Sequence, residues 1–562
     1  MANFFLSLFT AYTTRAKANF VRKTRQTMAV QEQFLRDLLQ VQQETELGRQ
    51  FGLSEIKTID QFCTQVPVMP YSSYEPYMEK IARGEPNILT ADPVIYINQT
   101  SGSTRKGKKL IAVTKRSQKA LQRANLASVG FAVEALRSRK LELGKFLLTT
   151  SIDLLGRTSG GIEYSPTSVR DLRLGKPLYQ RVLAHPYEVL QVSDNLARHY
   201  LCLLFALHNP STRGMAANFP VLALRICDYL EQYAEDLIQD LEIGAIADWL
   251  KLEPEIRVKL ERRLTAAPRR AAELQAVLNR EGRLTPKLAW PDLSFIITAR
   301  GGTSNFYFER FPAYFGDTPI FGGIYASAEA TFGIYADFDQ DSNILAIESN
   351  FFEFVPVAEW DIAHPQTLLA DQVKVGERYR ILVTNYSGLY RYDNGDVVEV
   401  VGFYEQAPLL VFCHRSGGQL SSTTEKTTEF HVTQVMQALQ REFNLALEDF
   451  CITLSEPEIP AHYLVNIELS PGYKLSEPQA FLTRFDHKLQ EVHAMYEVKR
   501  RDQVPPPRLR ILASGSFNTL SQRERQRGIA DFQLKLPHIS EDRRFLAGLS
   551  VEQEVRLPQD LD

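Results

Sequence analysis

Between two apolar runs, Val94-Ile95-Tyr96-Ile97 and Leu110-Ile111-Ala112-Val113, the chain carries Asn-Gln-Thr-Ser-Gly-Ser-Thr-Arg-Lys-Gly-Lys-Lys. Few arrangements accommodate such a stretch: the flanks read as strands and the middle as a loop. Small residues let successive backbone N–H groups converge into a concave nest that binds anions. Thr100, Ser101, Ser103 and Thr104 add hydroxyl donors, and Arg105, Lys106, Lys108 and Lys109 add positive charge. This is the chemistry of a loop that holds polyphosphate. Gly102, Gly107 and Lys108 fit a P-loop, but its next position must be Ser or Thr to reach Mg²⁺, and here it is Lys109. A P-loop also opens a helix, whereas 110–114 reads as a strand. Taken alone, the stretch is equally a basic turn.

The chain has 562 residues, 44% hydrophobic and 23% charged, the composition of a globular protein with large cores. A net charge of −3 gives no global case for binding nucleic acid or an anionic membrane. Five scattered cysteines, none in a C-x-x-C pair, fit free thiols in a reducing cytoplasm rather than a disulfide scaffold or zinc site. The N-terminal Phe4-Phe5-Leu6 stretch lacks a basic lead and a cleavage signal, and no run reaches the roughly 20 apolar residues of a spanning helix. A cytoplasmic protein is expected.

Helical spacing marks 31–50, 117–139 and 196–207, and residues 221–290 are mostly helices with charged faces. Residues 146–150 read as a strand and 156–166 as a loop. From Trp290 onward short apolar runs alternate with Gly-rich turns, giving strands at 294–298, 344–348, 351–355, 378–384 and 397–401. The fold class expected is α/β: a large mixed N-terminal body at 1–410 and a smaller α+β C-terminal domain at 425–562. A polar, Gly-rich hinge at 411–424 would join them.

Two further stretches match the opening loop in kind. In Gly322-Gly-Ile-Tyr-Ala-Ser-Ala-Glu-Ala, the Tyr325 ring is able to stack on a base, and Glu329 offers Mg²⁺ the oxygen ligand it prefers. Singly, each is more often a packed turn tyrosine and an exposed charge. In Tyr390-Arg-Tyr-Asp-Asn-Gly-Asp-Val-Val, Asp396 stands before an apolar run, where a carboxylate suits ribose hydroxyls. A plain turn aspartate is the alternative.

In this order the motifs resemble the Gretchen Hagen (auxin-responsive) family of acyl acid amido synthetases, within the adenylate-forming superfamily of acyl-CoA synthetases and luciferases. Thr100-Ser-Gly-Ser-Thr with Lys109 is similar to its phosphate loop, and Tyr325-Ala-Ser-Ala-Glu329 to its Tyr-x-Ser-Ser-Glu motif. The Tyr-Arg…Gly-Asp-Val-Val pattern recurs at 390–398, and Gln533-Leu-Lys-Leu-Pro537 resembles its closing segment. The similarity spans nearly the whole chain. Ala328 stands where the family usually has a second Ser, and Gly107 is one place from the usual glycine.

The resemblance implies activation of a carboxylic acid as acyl-AMP, with ATP and Mg²⁺, then transfer to an amine such as an amino acid. It assigns phosphate contacts to Ser101, Gly102, Ser103 and Thr104, and charge compensation to Lys109 or its basic neighbours. It gives nucleotide contacts to Tyr325, Ser327 and Asp396, with Arg415 near the hinge, and Mg²⁺ to Glu329. Lys535 of the small domain would act in one domain orientation. The acyl acid would lie among the helices around 118–140 and the 156–166 stretch. Such chemistry asks for positioning and charge neutralisation rather than a protein nucleophile. Accordingly the sequence holds no Gly-x-Ser-x-Gly elbow. An acyl-CoA ligase and a non-catalytic adenylate-binding relative are the alternative readings.

Overall fold

A computed structural model of the chain describes residues 2–100, 109–209, 211–360, 362, 364–415, 418–527 and 534–558, with only the backbone at 2–7 and 303. The chain divides into two compact units. The first is Met1–Arg300 with Pro312–Phe412; the second is Gly301–Phe311 with Cys413–Asp562. The division of the chain therefore falls after Phe412, and the reading of 1–410 as one body did not anticipate the Gly301–Phe311 segment.

The first unit holds helices around three sheets. A parallel sheet runs Lys145–Leu148, Thr212–Ala216, Phe295–Ile297, Ile320–Phe321. A second sheet pairs Val94–Gln99 antiparallel with Leu110–Thr114, which closes the stem of the basic loop. The strand Leu110–Thr114 passes directly into the helix Lys115–Ser138. Thr114 accepts from the Ser117 backbone N–H, and the Ser117 hydroxyl accepts in return from the Thr114 N–H, a capping box. A strand thus follows the loop, and the P-loop reading falls. The third sheet has seven strands, in the order Phe351–Pro356, Arg378–Thr384, Tyr392–Tyr404, Ala407–Arg415, Asn343–Leu345, Thr331–Tyr335, Ile324–Ala326, the last residues of Ala407–Arg415 falling past the division after Phe412.

Three local expectations change. Residues 156–166 are not all loop: Gly156–Arg157 pairs antiparallel with Glu163–Ser165, which lies parallel to Val94–Gln99. Strands this short carry too few alternations to be seen by periodicity. The helix expected over 31–50 breaks into Thr27–Gln42 and Glu46–Gln50, because the Thr45 side chain accepts from Gly48 N–H and starts a new helix. The Asp-Asn-Gly-Asp stretch lies inside the long strand Tyr392–Tyr404 rather than before it. Gly395 adopts φ 79°, and the pairing with Arg378–Thr384 shifts register there, so a bulge absorbs turn-type residues within a strand.

In the second unit Leu447–Leu454, Tyr463–Leu469, Arg508–Leu512 and Val551–Arg556 form one sheet, with only its central pair parallel. The helices Glu429–Glu442 and Pro478–Val492 bury Val432, Val435, Leu439, Phe481, Phe485 and Leu489. The segment Gly301–Phe311 is fastened here by polar anchors. Tyr307 donates to Asp449 Oδ2 at 3.1 Å, Arg310 pairs with Glu448 at 3.0 Å, and the Phe306 ring meets Phe450 edge-on at 5.0 Å.

Candidate active site

The loop's stem is tightly stitched. Thr100 N–H donates to Lys109 O at 3.0 Å, and Lys109 N–H donates to Thr100 Oγ1 at 3.1 Å. The Tyr71 hydroxyl donates to Leu110 O and accepts from Leu110 N–H at 2.7 Å. Burial pushes the Tyr71 phenol up to about 12, so it stays protonated as a structural donor. Ser101, Gly102, Ser103 and Thr104, with the rest of 101–108, lie outside the described residues.

Lys109 leaves the stem toward Glu329. Its Nζ lies 3.6 Å from Glu329 Oε1 and donates to the Tyr392 hydroxyl at 3.1 Å. Tyr392 in turn donates to Glu329 Oε1 at 3.2 Å. The Glu329 side chain is 2% exposed and that of Lys109 27%. Three residues remote in sequence thus form one triangle. Tyr392 is itself fixed on the main chain: Met69 N–H donates to Arg391 O, and Asp393 N–H donates to Met69 O.

Glu329 sits on a turn held by main-chain and amide contacts. Glu329 N–H donates to Ser327 Oγ at 3.2 Å, and Ser327 N–H to Ala330 O at 2.8 Å. The Asn98 amide donates to Ala328 O at 3.1 Å, while its own oxygen accepts from buried Arg170. Asn385 donates to Glu329 O at 3.0 Å. The strand that leads into the loop thus supports the Ala328 carbonyl. The Ser327 hydroxyl is engaged by its own turn.

Tyr325 and Asp396 also meet. The tyrosine hydroxyl donates to Asp396 Oδ2 at 2.8 Å, and Asp396 N–H donates to Asn394 Oδ1 at 3.0 Å. The Tyr325 ring stacks on Phe332 at 4.7 Å, with Phe412 tilted against it at 5.4 Å. Opposite Tyr325 in the ladder is Gly333, where a Cβ would stand 1.7 Å from Asn343 Oδ1, so no side chain fits there.

Lys535 and Arg415 belong to the second unit and are both exposed. Burial raises the Glu429 carboxyl, but the charges of Lys535 and His538 together with the His538 N–H, 2.8 Å away, bring it below the usual range. Among the described residues no cluster of three His, Cys, Asp or Glu side chains is placed to hold a metal ion. One buried carboxylate still suits Mg²⁺, which keeps waters and takes one or two carboxylates together with substrate phosphates. The donor set therefore fits a metal that comes with a nucleotide.

Of the residues singled out from sequence, the fold brings Lys109 to Glu329 and Tyr325 to Asp396. Sequence reasoning missed Tyr392, Asn98 and Arg170. Tyr392 stood within a quoted motif, but nothing in its type separates a fully buried core tyrosine from one that bridges two charges.

Models of three GH3 domains match the chain in order: the N-terminal domain over residues 16–320, the central domain over 343–415 and the C-terminal domain over 430–544. The chain belongs to the GH3 family. Among GH3 relatives, indole-3-acetic acid-amido synthetase GH3.3 of Arabidopsis thaliana is 26% identical, across 92% of this chain and 89% of the relative. Jasmonoyl–L-amino acid synthetase JAR4 of Nicotiana attenuata is also 26% identical, covering 92% and 91%. The solved GH3.15 acyl acid amido synthetase in complex with 2,4-DB superposes with a TM-score of 0.87 over 98% of both chains, at 22% identity. A 2-hydroxyisobutyryl-CoA ligase in the postadenylation state superposes at 0.52 over 94% of this chain and 90% of the ligase, at 11% identity. The GH3 fold, and with it the expected α/β class, is thereby shown. Among the described residues no helix is long and apolar enough to cross a membrane.

Proposed function

We propose that the chain is an ATP-dependent acyl acid amido synthetase of the cytoplasm. A substrate carboxylate oxygen attacks the α-phosphorus of ATP, pyrophosphate leaves, and the acyl group is carried as acyl-AMP. The nitrogen of an amine such as an amino acid then attacks the acyl carbon; AMP leaves, a proton is lost and an amide remains. The observation that carries this reading is the buried Glu329 beside Lys109 at the stem of the phosphate-type loop. Joined to the Tyr325–Asp396 pair, it supplies cation, carboxylate, ring and hydroxyl-binding group without a protein nucleophile.

In this reading Ser101, Gly102, Ser103 and Thr104 hold phosphates, and Lys109 offsets charge on the departing pyrophosphate. Tyr325 stacks on adenine. Asp396 holds the ribose, with Arg415 as helper, and Ser327 keeps the turn between them in shape. Glu329 would hold Mg²⁺, which when bound neutralises phosphate charge. Lys535 reaches the nucleotide in one orientation of the small domain, and rotation about 411–424 separates the two half-reactions.

The test is ATP–pyrophosphate exchange by the purified protein with Mg²⁺ and a panel of carboxylic acids. Exchange with at least one acid is expected. Tight ATP binding with no exchange for any acid would sink the ligase reading in favour of a non-catalytic adenylate-binding protein. The likeness to a CoA ligase supports a second reading, in which a thiol takes the acyl group. Mass spectrometry of products formed with amino acids or with CoA separates the two.

A further inference from the structure

Glu329 already has a cation beside it. The Lys109 ammonium lies 3.6 Å from Glu329 Oε1, on the same oxygen that accepts from Tyr392. The ammonium also lies over the Tyr71 and Tyr392 rings, 5.4 and 5.8 Å from their centroids. It is therefore lodged in a site of negative character made by one carboxylate, one hydroxyl and two ring faces. A divalent metal and an ammonium cannot share that oxygen, since two cations at such range repel strongly where water is scarce. Lys109 is, however, the residue on which the loop closes, and its four-carbon stem swings without moving the backbone. Tyr392 is fully buried and held on both sides by main-chain hydrogen bonds, so its hydroxyl stays with Glu329 whether or not the lysine does.

We propose that Lys109 is a placeholder cation on Glu329, seated by Tyr392 as a positioning residue, and that nucleotide phosphates draw it off to free the oxygen for metal. The proposal rests on the reading of Glu329 as the metal carboxylate. Its consequence is an order of binding: free metal binds poorly, and metal enters with the nucleotide. Lys109 then serves twice, excluding stray cations from the empty site and stabilising charge once phosphates arrive.

Manganese tests this, by electron paramagnetic resonance of free Mn²⁺, with and without the unreactive analogue α,β-methylene-ATP. In the absence of nucleotide the native protein should bind Mn²⁺ weakly. Lys109→Met should tighten that binding on the order of tenfold, as removal of a partly buried competing charge would. Tyr392→Phe, which loosens the seat, should tighten it about threefold. Lys109→Gln repeats the measurement if the Met variant does not fold. Unchanged nucleotide-free binding in the Lys109 variants, with Glu329→Gln weakening Mn²⁺ in the ternary complex, would overturn the placeholder and leave the metal reading standing. Glu329→Gln without effect on the ternary complex would overturn both. A Tyr392→Phe variant that loses stability without any change in Mn²⁺ binding would reduce that hydroxyl to a packing role.

Discussion

Arg391 and Tyr392 are neighbours in sequence, yet each serves a different buried acid. Arg391 serves Glu353. Its Nε donates to both carboxylate oxygens at 3.0 and 3.1 Å, its Nη1 to the Cys63 and Val66 carbonyls, and its Nη2 to Thr367. The two side chains are 5% and 1% exposed. Tyr392 serves Glu329, whose cation is a lysine at a loose 3.6 Å and 27% exposed. The first pair has its donors spent in fixed directions, and nothing is left for a ligand. The second holds its cation by charge more than by geometry, and such a cation is exchangeable. A guanidinium fork locks where an ammonium only lodges. The difference separates a locked pair from a loosely held one, although both carboxylates are buried in the same unit.

If that contrast is right, Glu353→Ala has the largest effect. It strands a buried guanidinium, and urea denaturation should show a loss of about 3–5 kcal/mol. A loss under about 1 kcal/mol would mean that the carbonyl partners alone satisfy Arg391 and would erase the contrast. Lys109→Met should do the reverse. Pyrophosphate exchange should fall about a hundredfold while the unfolding midpoint scarcely moves, because the charge acts on developing phosphate charge rather than on the fold. Were Lys109→Met to unfold the chain as Glu353→Ala does, both pairs would be locked.

Asp396→Ala should weaken ATP binding roughly ten- to a hundredfold by calorimetry, the worth of hydrogen bonds to a charged acceptor. Far-ultraviolet circular dichroism should stay native; coincident unfolding would make Asp396 a turn residue only. Asn98→Ala removes the support of the Ala328 carbonyl and should raise the KM for ATP a few-fold with kcat little changed, about 1 kcal/mol of positioning. The smallest effect concerns Asp393, whose carboxyl is pushed up by burial although Arg380, 3.0 Å away, opposes this. A carboxyl raised in the folded state binds protons there more tightly than in the unfolded chain. Its stabilising contribution is therefore present at low pH and shrinks as pH climbs through and above the ordinary carboxylate range. Asp393→Asn should remove that decline in denaturation experiments carried upward from the ordinary carboxylate range. A decline that persists in the variant belongs to other groups.

The strand flanks of the basic stretch were legible beforehand, and Tyr325, Glu329 and Asp396 stand in local patterns with a chemical reason. The burial of Asp396 inside a strand was not legible, because Asp-Asn-Gly reads as a turn until a bulge with Gly395 in the left-handed region carries it through a ladder. Nor was the attachment of Gly301–Phe311 to the second unit, which depends on Tyr307 and Arg310 finding Asp449 and Glu448. Those residues look like ordinary surface and core types until their partners are known.

The sequence by itself determined the local devices: the small residues and cations between two apolar runs, the helical spacing that follows them, and the order of motifs that resembles the GH3 family. Propensity, capping and turn chemistry act over a few residues, so they can be read in one dimension. The tertiary structure alone decided which charge is fixed and which is exchangeable. Lys109 and Tyr392 stand 283 residues apart along the chain. Whether a cation is locked or loosely held depends on how many of its donors find acceptors at the right angle, and that is settled only when distant strands are brought into register.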